Sequence, residues 1–157
     1  MEWYSAVFNK TVLEIEDHIS KYRISDALMA TYKLLWENYS SWLLELIKPQ
    51  YQQAVDKTTK TQVIALMENN LRILHPFMPF LTEDIWQQIS ERSPEEALIV
   101  NHWPEVSPVD QSDLLAGFEW SKQVVSEVRT IRKEKQIAQK EVLDMFVMHP
   151  SHPLLYW

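Results

Sequence analysis

The sequence predicts a mainly α-helical fold, a helical bundle of about five helices with a short β segment near the C-terminus. Only one of the 157 residues is glycine, whereas hairpin-rich β architectures need several residues with positive φ. Apolar side chains recur with the 3.6-residue period of amphipathic helices. Prolines and polar clusters separate these periodic stretches, so the chain divides into several helices with short connections.

Composition narrows the class of protein further. The length suits one domain that buries roughly two thirds of its surface on folding. Cysteine is absent, which fits a reducing compartment and predicts a cytoplasmic protein. The single glycine argues against a glycine-rich phosphate loop or a dinucleotide fingerprint. No apolar run reaches the ~18 residues of a membrane span, so we expect a soluble chain.

The first two helices are predicted from apolar periodicity. Residues 4–22 place apolar side chains on one face and acidic ones opposite, as in an amphipathic helix. Ser25 and Asp26 can cap a second helix that extends to Ile47 and ends before Pro49. This helix is apolar around most of its circumference, so we expect it at the centre of the bundle.

An apolar corner joins the third and fourth predicted helices. Residues 57–74 form the third helix, and Pro76 and Pro79 end it because proline lacks an amide hydrogen. Thr82 then caps a fourth helix over residues 83–90. The segment between the prolines is strongly apolar, so we expect it to be buried and to hold both helices against a common core.

The C-terminal third combines a long helix with two candidate strands. Residues 97–100 and 141–148 are β-like and could pair as a marginal two-stranded sheet. A fifth helix is predicted over residues 112–136. The predicted domains are a helical bundle, 1–140, and the start of a C-terminal segment, 141–157, that continues in a longer protein. The residues of the fifth helix expected to face the core are Leu114 or Leu115, Phe118, Val125 and Val128.

Catalytic and metal sites are not predicted. None of the five histidines belongs to a His-Glu-x-x-His pair, and there are no thiols. The carboxylate pair Glu83 and Asp84 is explained by a helix N-terminus, and Glu95 with Glu96 by a solvated loop. The sequence therefore supports neither a metal ion nor general acid–base catalysis.

The basic side chains are concentrated in one helix. The net charge is −7, but residues 121–140 hold six basic and two acidic side chains, so this segment is +4 and the remainder −11. Arg129, Arg132 and Lys133 lie on one side of the fifth helix together with Gln136. Two interpretations stay open. This face is either solvated and paired with neighbouring glutamates or a ridge that contacts nucleic-acid phosphates.

Aromatic residues on the second helix are a further candidate. Trp36, Tyr39 and Trp42 are spaced by three residues, a pattern more typical of a core than of a ligand platform. If one of them, or Asn38, is exposed, it could contact an unpaired base, since single-stranded RNA is commonly bound by stacking.

Three stretches together resemble one family. They are WENYSSWLLELIKP, LRILHPFMPFLTEDIWQQI followed by VNHWPE, and VVSEVRTIRKEKQI. They are similar to the anticodon-binding helical domain of class I aminoacyl-tRNA synthetases. The LHPFMPF and IRKEK segments are more similar to the valyl branch than to the isoleucyl and leucyl branches, and the likeness covers nearly the whole chain.

This resemblance implies a domain that binds the anticodon stem-loop of tRNA(Val), while a separate Rossmann-type domain of the parent enzyme uses ATP to charge the tRNA with valine. The catalytic signatures His-x-Gly-His and Lys-Met-Ser-Lys-Ser are absent, so we expect neither ligase activity nor a cofactor in this chain. Its other expected partners are the catalytic and C-terminal domains of the parent. The residues assigned to tRNA by position and chemistry are Asn38, Tyr39, Trp42, Lys48, Arg129, Arg132 and Lys133.

One departure and one alternative accompany this hypothesis. The family often has an acidic residue near Ser41 and an aromatic residue near Leu43, so base contacts from those positions are not carried over. The alternative is a structural or interdomain interaction bundle with no direct RNA contact. The acidic charge outside residues 121–140 favours that alternative for the isolated chain.

Overall fold

The computed structural model describes residues 1–49, 52–106, 110–138, 140–149 and 152–156. Helices α1, Glu2–Ser20, and α2, Ile24–Lys33, are followed by a π-helical segment, Leu34–Leu43, and a short α3, Leu44–Leu46. The remaining helices are α4, Lys57–Leu74, α5, Pro79–Ile89, and α6, Ser112–Glu134. Two 3₁₀ turns, Pro94–Glu96 and Leu98–Val100, precede α6, and strands β1, Phe146–His149, and β2, His152–Tyr156, follow it.

The mainly α prediction is confirmed. The backbone stays in the right-handed helical region where α2 meets the π-helical segment and where that segment meets α3, so these three pieces form one continuous helix. Counted in this way, the described residues contain five long helices, as predicted. Within those residues, no helix is both long and apolar enough to cross a membrane.

Two compact units divide the chain, Met1–Leu115 and Ala116–Trp157. In the first unit, α1 packs against α2 and the π-helical segment. The hydroxyl of Tyr4 donates to Asn70 Oδ1 at 2.7 Å and so ties α1 to α4. An apolar cluster joins α4, α5 and the second 3₁₀ turn through Leu71, Trp86 and Leu98.

Helix α5 begins earlier than predicted. Its first residue is Pro79, which suits the first turn because proline has no amide hydrogen to leave unpaired and its φ is already helical. Thr82 is therefore not the N-cap but lies inside the helix, fully buried. Its hydroxyl donates to the carbonyl of Met78 at 2.8 Å and lies 2.7 Å from His75 Nδ1.

The prediction of a buried corner is wrong. Met78 and Leu81 are exposed, and Phe80 is 91% exposed. The reason is the early start of α5, which makes this stretch its first turn. The face that is buried carries Thr82 and, four residues later, Trp86, so Phe80 and Leu81 lie on the outer face.

The predicted β-like run at 97–100 is also wrong. Leu98–Val100 is a 3₁₀ turn, and the amide of Leu98 donates to Glu83 Oε2 at 2.8 Å. Beside it, the Trp86 indole donates to the carbonyl of Glu96 at 2.9 Å. Because the backbone of Leu98–Val100 is turned rather than extended, the run does not pair with the later strand. Strand β1 instead pairs antiparallel with β2, with Phe146 opposite Tyr156.

The predicted core face of α6 is not observed. None of the described residues of α6 is buried. Leu114 and Val125 are exposed, and Leu115, Phe118 and Val128 are half-buried. The apolar period of this helix is real, but it marks a partly covered face rather than a core.

Candidate nucleic-acid interface

The C-terminal end of α6 forms a concave basic surface. Arg129, Arg132, Lys133, Gln136 and Ile137 line a hollow of about 640 Å³, here called the basic hollow. The three cationic residues come from successive turns on one side of the helix, as their spacing requires. The structure therefore brings together three of the four basic residues that were assigned to tRNA, and Lys48 lies elsewhere.

Arg132 also has a structural role in the basic hollow. Its Nη1 donates to the carbonyl of Ala138 at 2.7 Å, and its Nη2 donates to that of Glu141 at 2.9 Å. Gln136 has a φ of 56° and so turns the chain out of the helix. The guanidinium therefore fixes the turn that follows α6, in addition to supplying charge.

The described ion pairs bear on the two interpretations of this face. None of them joins Arg132 or Lys133 to a carboxylate, whereas Lys122, about three turns earlier, pairs with Glu119 at 2.7 Å. Within the described ranges, the cations of the last turn are thus not neutralised by salt bridges, which is what a phosphate-contacting ridge requires.

Tyr39 belongs to the core and is removed from the candidate site. It is 6% exposed, its ring centroid lies 5.5 Å from that of Tyr4, and its hydroxyl donates to the carbonyl of Val63 at 3.5 Å. Burial raises the pKa of this phenol. The ring is not presented to a ligand, contrary to the assignment made from sequence.

Asn38 and Lys48 line separate hollows in the first unit. Asn38 is half-buried and lines a hollow of about 300 Å³ whose charged groups include Asp26 and Lys33. Lys48 pairs with Glu45 at 3.4 Å and lines an apolar hollow of about 450 Å³ together with Lys60. Trp42 is half-buried, so part of its ring is accessible.

An exposed aromatic pair lies on the outer face of the second helix, and neither of its residues was among those assigned to tRNA. Trp36 is 62% exposed, and its ring stacks on that of Tyr32 with centroids 6.3 Å apart and planes 8° apart. Ile24 and Leu28 continue the same row towards the N-terminus, and both are exposed. The signal was an apolar residue at every fourth position. We call Ile24, Leu28, Tyr32 and Trp36 the apolar ridge.

A polar hollow near α1 was missed as well. It is lined by Asn9, Asn69 and Asn101 among others, which are too far apart in sequence for any spacing rule to connect them. The described residues contain no group of three or more histidine, aspartate or glutamate side chains that could hold a metal ion.

Comparisons with known proteins identify the family of the chain. A family model described as the anticodon-binding domain of tRNA ligase matches residues 1–147. A valine–tRNA ligase from Christiangramia forsetii is 52% identical over 149 residues, which cover 95% of this chain and 17% of that protein. The corresponding protein of Bacteroides thetaiotaomicron is 47% identical over 150 residues, 94% of this chain and 17% of that protein. The chain thus spans about a sixth of the length of these relatives.

Proposed function

From the premise that the chain belongs to the family of anticodon-binding domains of tRNA ligases, we propose that it binds the anticodon stem-loop of tRNA(Val) as part of a longer valine–tRNA ligase. In this proposal the catalytic domain of that longer protein charges the tRNA with valine at the expense of ATP, in the cytoplasm, and the present chain holds the other end of the tRNA. The carrying observation is the basic hollow, which lies within the residues that match the family.

The proposed contacts follow from the chemistry of each side chain. Arg129 and Lys133 contact phosphates, since guanidinium and ammonium groups bind phosphate oxygens. Arg132 adds charge while it holds the turn after α6. Asn38, Trp42 and Lys48 are proposed to meet the loop nucleotides, and Trp36 on the apolar ridge offers a stacking surface.

The alternative of an interdomain bundle with no RNA contact is less well supported. The family model that matches is described as an anticodon-binding domain of tRNA ligase, and the relatives are valine–tRNA ligases. The acidic charge outside residues 121–140 does not oppose binding by itself, because the basic residues are gathered in one hollow.

The test is fluorescence anisotropy of a labelled valine anticodon stem-loop titrated with the chain, with an isoleucine stem-loop as control. Contacts from three cations predict that log affinity falls with log salt with a slope of about −2 to −3. Lys133→Glu should weaken binding and reduce that slope by about one. Lys10→Glu on α1, at an exposed position, makes the same change of charge and should have a much smaller effect.

Each other outcome contradicts a separate part of the proposal. Equal affinity for the two stem-loops would contradict valine specificity. Equal effects of Lys133→Glu and Lys10→Glu would remove the basic hollow from the interface, and an absence of binding would overturn RNA recognition by this chain. Arg132→Glu is less informative, because it also breaks the hydrogen bonds to Ala138 and Glu141.

A further inference from the structure

A second candidate ligand site lies in the first unit, between α1, α4 and the segment at 101–105. It is a hollow of about 360 Å³, a size within the range of small-ligand pockets. Phe8 and Pro104 are its buried apolar lining. Three asparagines supply most of its uncharged polar lining, so we call it the amide hollow. They are Asn9, Asn69 and Asn101.

Arg72 fixes the orientation of two of these amides. Its Nε donates to Asn101 Oδ1 at 2.9 Å, and its Nη1 donates to Asn69 Oδ1 at 2.5 Å. A guanidinium has donors only, so both asparagines must turn their oxygen atoms towards it. Their Nδ2 groups, which are donors, are then left to bond a ligand.

The arginine is itself held in place. Its guanidinium lies 5.3 Å from the ring centroid of Trp86, a buried residue. That ring is also covered by Arg92 at 3.8 Å and is anchored by the bond from its indole to Glu96. The two amides are therefore pre-organised, which lowers the entropic cost of binding.

An aromatic wall completes the amide hollow. Trp103 lines it, and the indole nitrogen of Trp103 donates to Glu16 Oε1 at 3.0 Å, which fixes the plane of the ring. A fixed indole beside hydrogen-bond donors is the combination that binds an unstacked base, by stacking and by contact with the base edge.

The charges of the amide hollow argue against an anionic ligand. The guanidinium of Arg72 already donates to two amide oxygens, and the carboxylate of Glu105 also lines the hollow. A phosphate would meet this carboxylate, whereas a neutral, planar, polar ring would not.

We propose that the amide hollow binds one unpaired nucleobase of the RNA, whose acceptor atoms are bonded by the Nδ2 groups of Asn69 and Asn101 while the ring stacks on Trp103. This inference rests on the proposed function and deepens it by assigning a base-reading site apart from the phosphate contacts.

The first test replaces Asn101 by aspartate. This variant keeps an oxygen for Arg72 but exchanges the donor for an acceptor, so affinity for the anticodon stem-loop should fall about tenfold or more. Asn69→Asp should act in the same direction. Gln88→Glu, at an exposed position on α5, makes the same amide-to-acid change away from the hollow and should alter affinity little.

The second test combines the protein variants with abasic RNA. Removing the base at the loop position that occupies the hollow should weaken binding to the natural chain. With that abasic RNA, Asn101→Asp should cause no further loss of affinity, whereas with RNA that lacks the base at another loop position it should still cause a loss. This result does not depend on the stability of the variant alone, because it requires coupling to a single nucleotide.

The outcomes separate the two proposals. The amide hollow would be overturned, and the phosphate interface left standing, if the natural chain binds the RNA but the base-site variants behave like the control. In that case Asn101→Asp and Asn69→Asp would bind no more weakly than Gln88→Glu, and no loop position would show coupling. Failure of the natural chain to bind the RNA would overturn both.

Discussion

At the scale of single residues, the buried pair of Tyr4 and Asn70 shows how much one hydrogen bond can determine. Both residues are fully buried, and the phenol donates to Asn70 Oδ1 at 2.7 Å. The Nδ2 group of Asn70 has no partner among the described residues. The phenol is thus the main compensation for burying this amide.

Tyr4→Phe should lower the free energy of unfolding by about 1–3 kcal/mol, because it leaves a second atom of the buried amide unpaired. Tyr39→Phe is the matched control. Its hydroxyl bond to Val63 is 3.5 Å long, near the limit of a hydrogen bond, so its loss should cost less. Urea denaturation measures both, and a larger loss for Tyr39→Phe would contradict the assignment.

The same phenol gives this prediction a second readout in alkali. Burial raises the pKa of Tyr4 well above the ordinary value of 10.0. Above pH 10 the unfolded chain loses this proton while the folded chain keeps it, so stability is present below that pH and falls as the pH rises further. Tyr4→Phe should make that fall shallower. Some fall should remain, because the pKa of Tyr39 is raised as well.

At the scale of elements, the π-helical segment decides which side chains of the second helix are buried. The buried residues of the segment are Leu34, Tyr39 and Leu43, spaced by five and four residues. An α-helical period continued from Leu34 would instead bury positions near Asn38 and Ser41. The wider i to i+5 hydrogen bonding of a π-helix shifts the inward face.

Leu43→Ala and Leu44→Ala test this shift on adjacent residues. Leu43 is 2% exposed and Leu44 is 36% exposed, so the first change should cost about 2–5 kcal/mol of stability and the second much less. Similar losses measured by chemical denaturation would show that the helix does not present these faces.

The sequence was sufficient to predict where the helices lie along the chain, but not which of their faces are buried. The helix predicted from Ser25 to Ile47 is present as one continuous helix from Ile24 to Leu46, because its propensity and its proline stop are local properties. A helix that is apolar all round carries no polar stripe to reveal a change of hydrogen-bond register. For that reason Tyr39 was assigned to the ligand, whereas Trp36, a candidate only if exposed, was not assigned.

The candidate site likewise has one part that the sequence predicts and another that it does not. Arg129, Arg132 and Lys133 were correctly placed together because they share one helix. Asn69 lies one turn before Arg72 on α4, but Asn101 is 29 positions further along the chain, and only the fold brings it to Arg72. Local spacing cannot predict a site of that kind.

At the scale of the whole molecule, the buried core lies in the N-terminal unit of the chain. Every buried described residue belongs to Met1–Leu115, and the last of them is Pro104. The second unit consists of most of α6 and a two-stranded sheet, which is a marginal element on its own.

Backbone amides of α6 should therefore exchange with solvent faster than those in the second half of α4, since local opening is easiest where few apolar side chains are buried. Hydrogen exchange followed by NMR measures both in one sample. The matched comparison is between Val124–Val128 and Asn70–Leu74, and equal protection would contradict the location of the core.

The apolar ridge determines the sign of one calorimetric quantity, the change in heat capacity when a partner covers it. Covering Tyr32 and Trp36, both largely exposed, removes apolar surface from water and gives binding a negative heat-capacity change. Neutralising the basic hollow acts mainly through the release of counterions and removes little apolar surface. A partner that uses the basic hollow alone and one that also covers the apolar ridge can therefore have the same affinity at one temperature and still differ in how that affinity changes on warming.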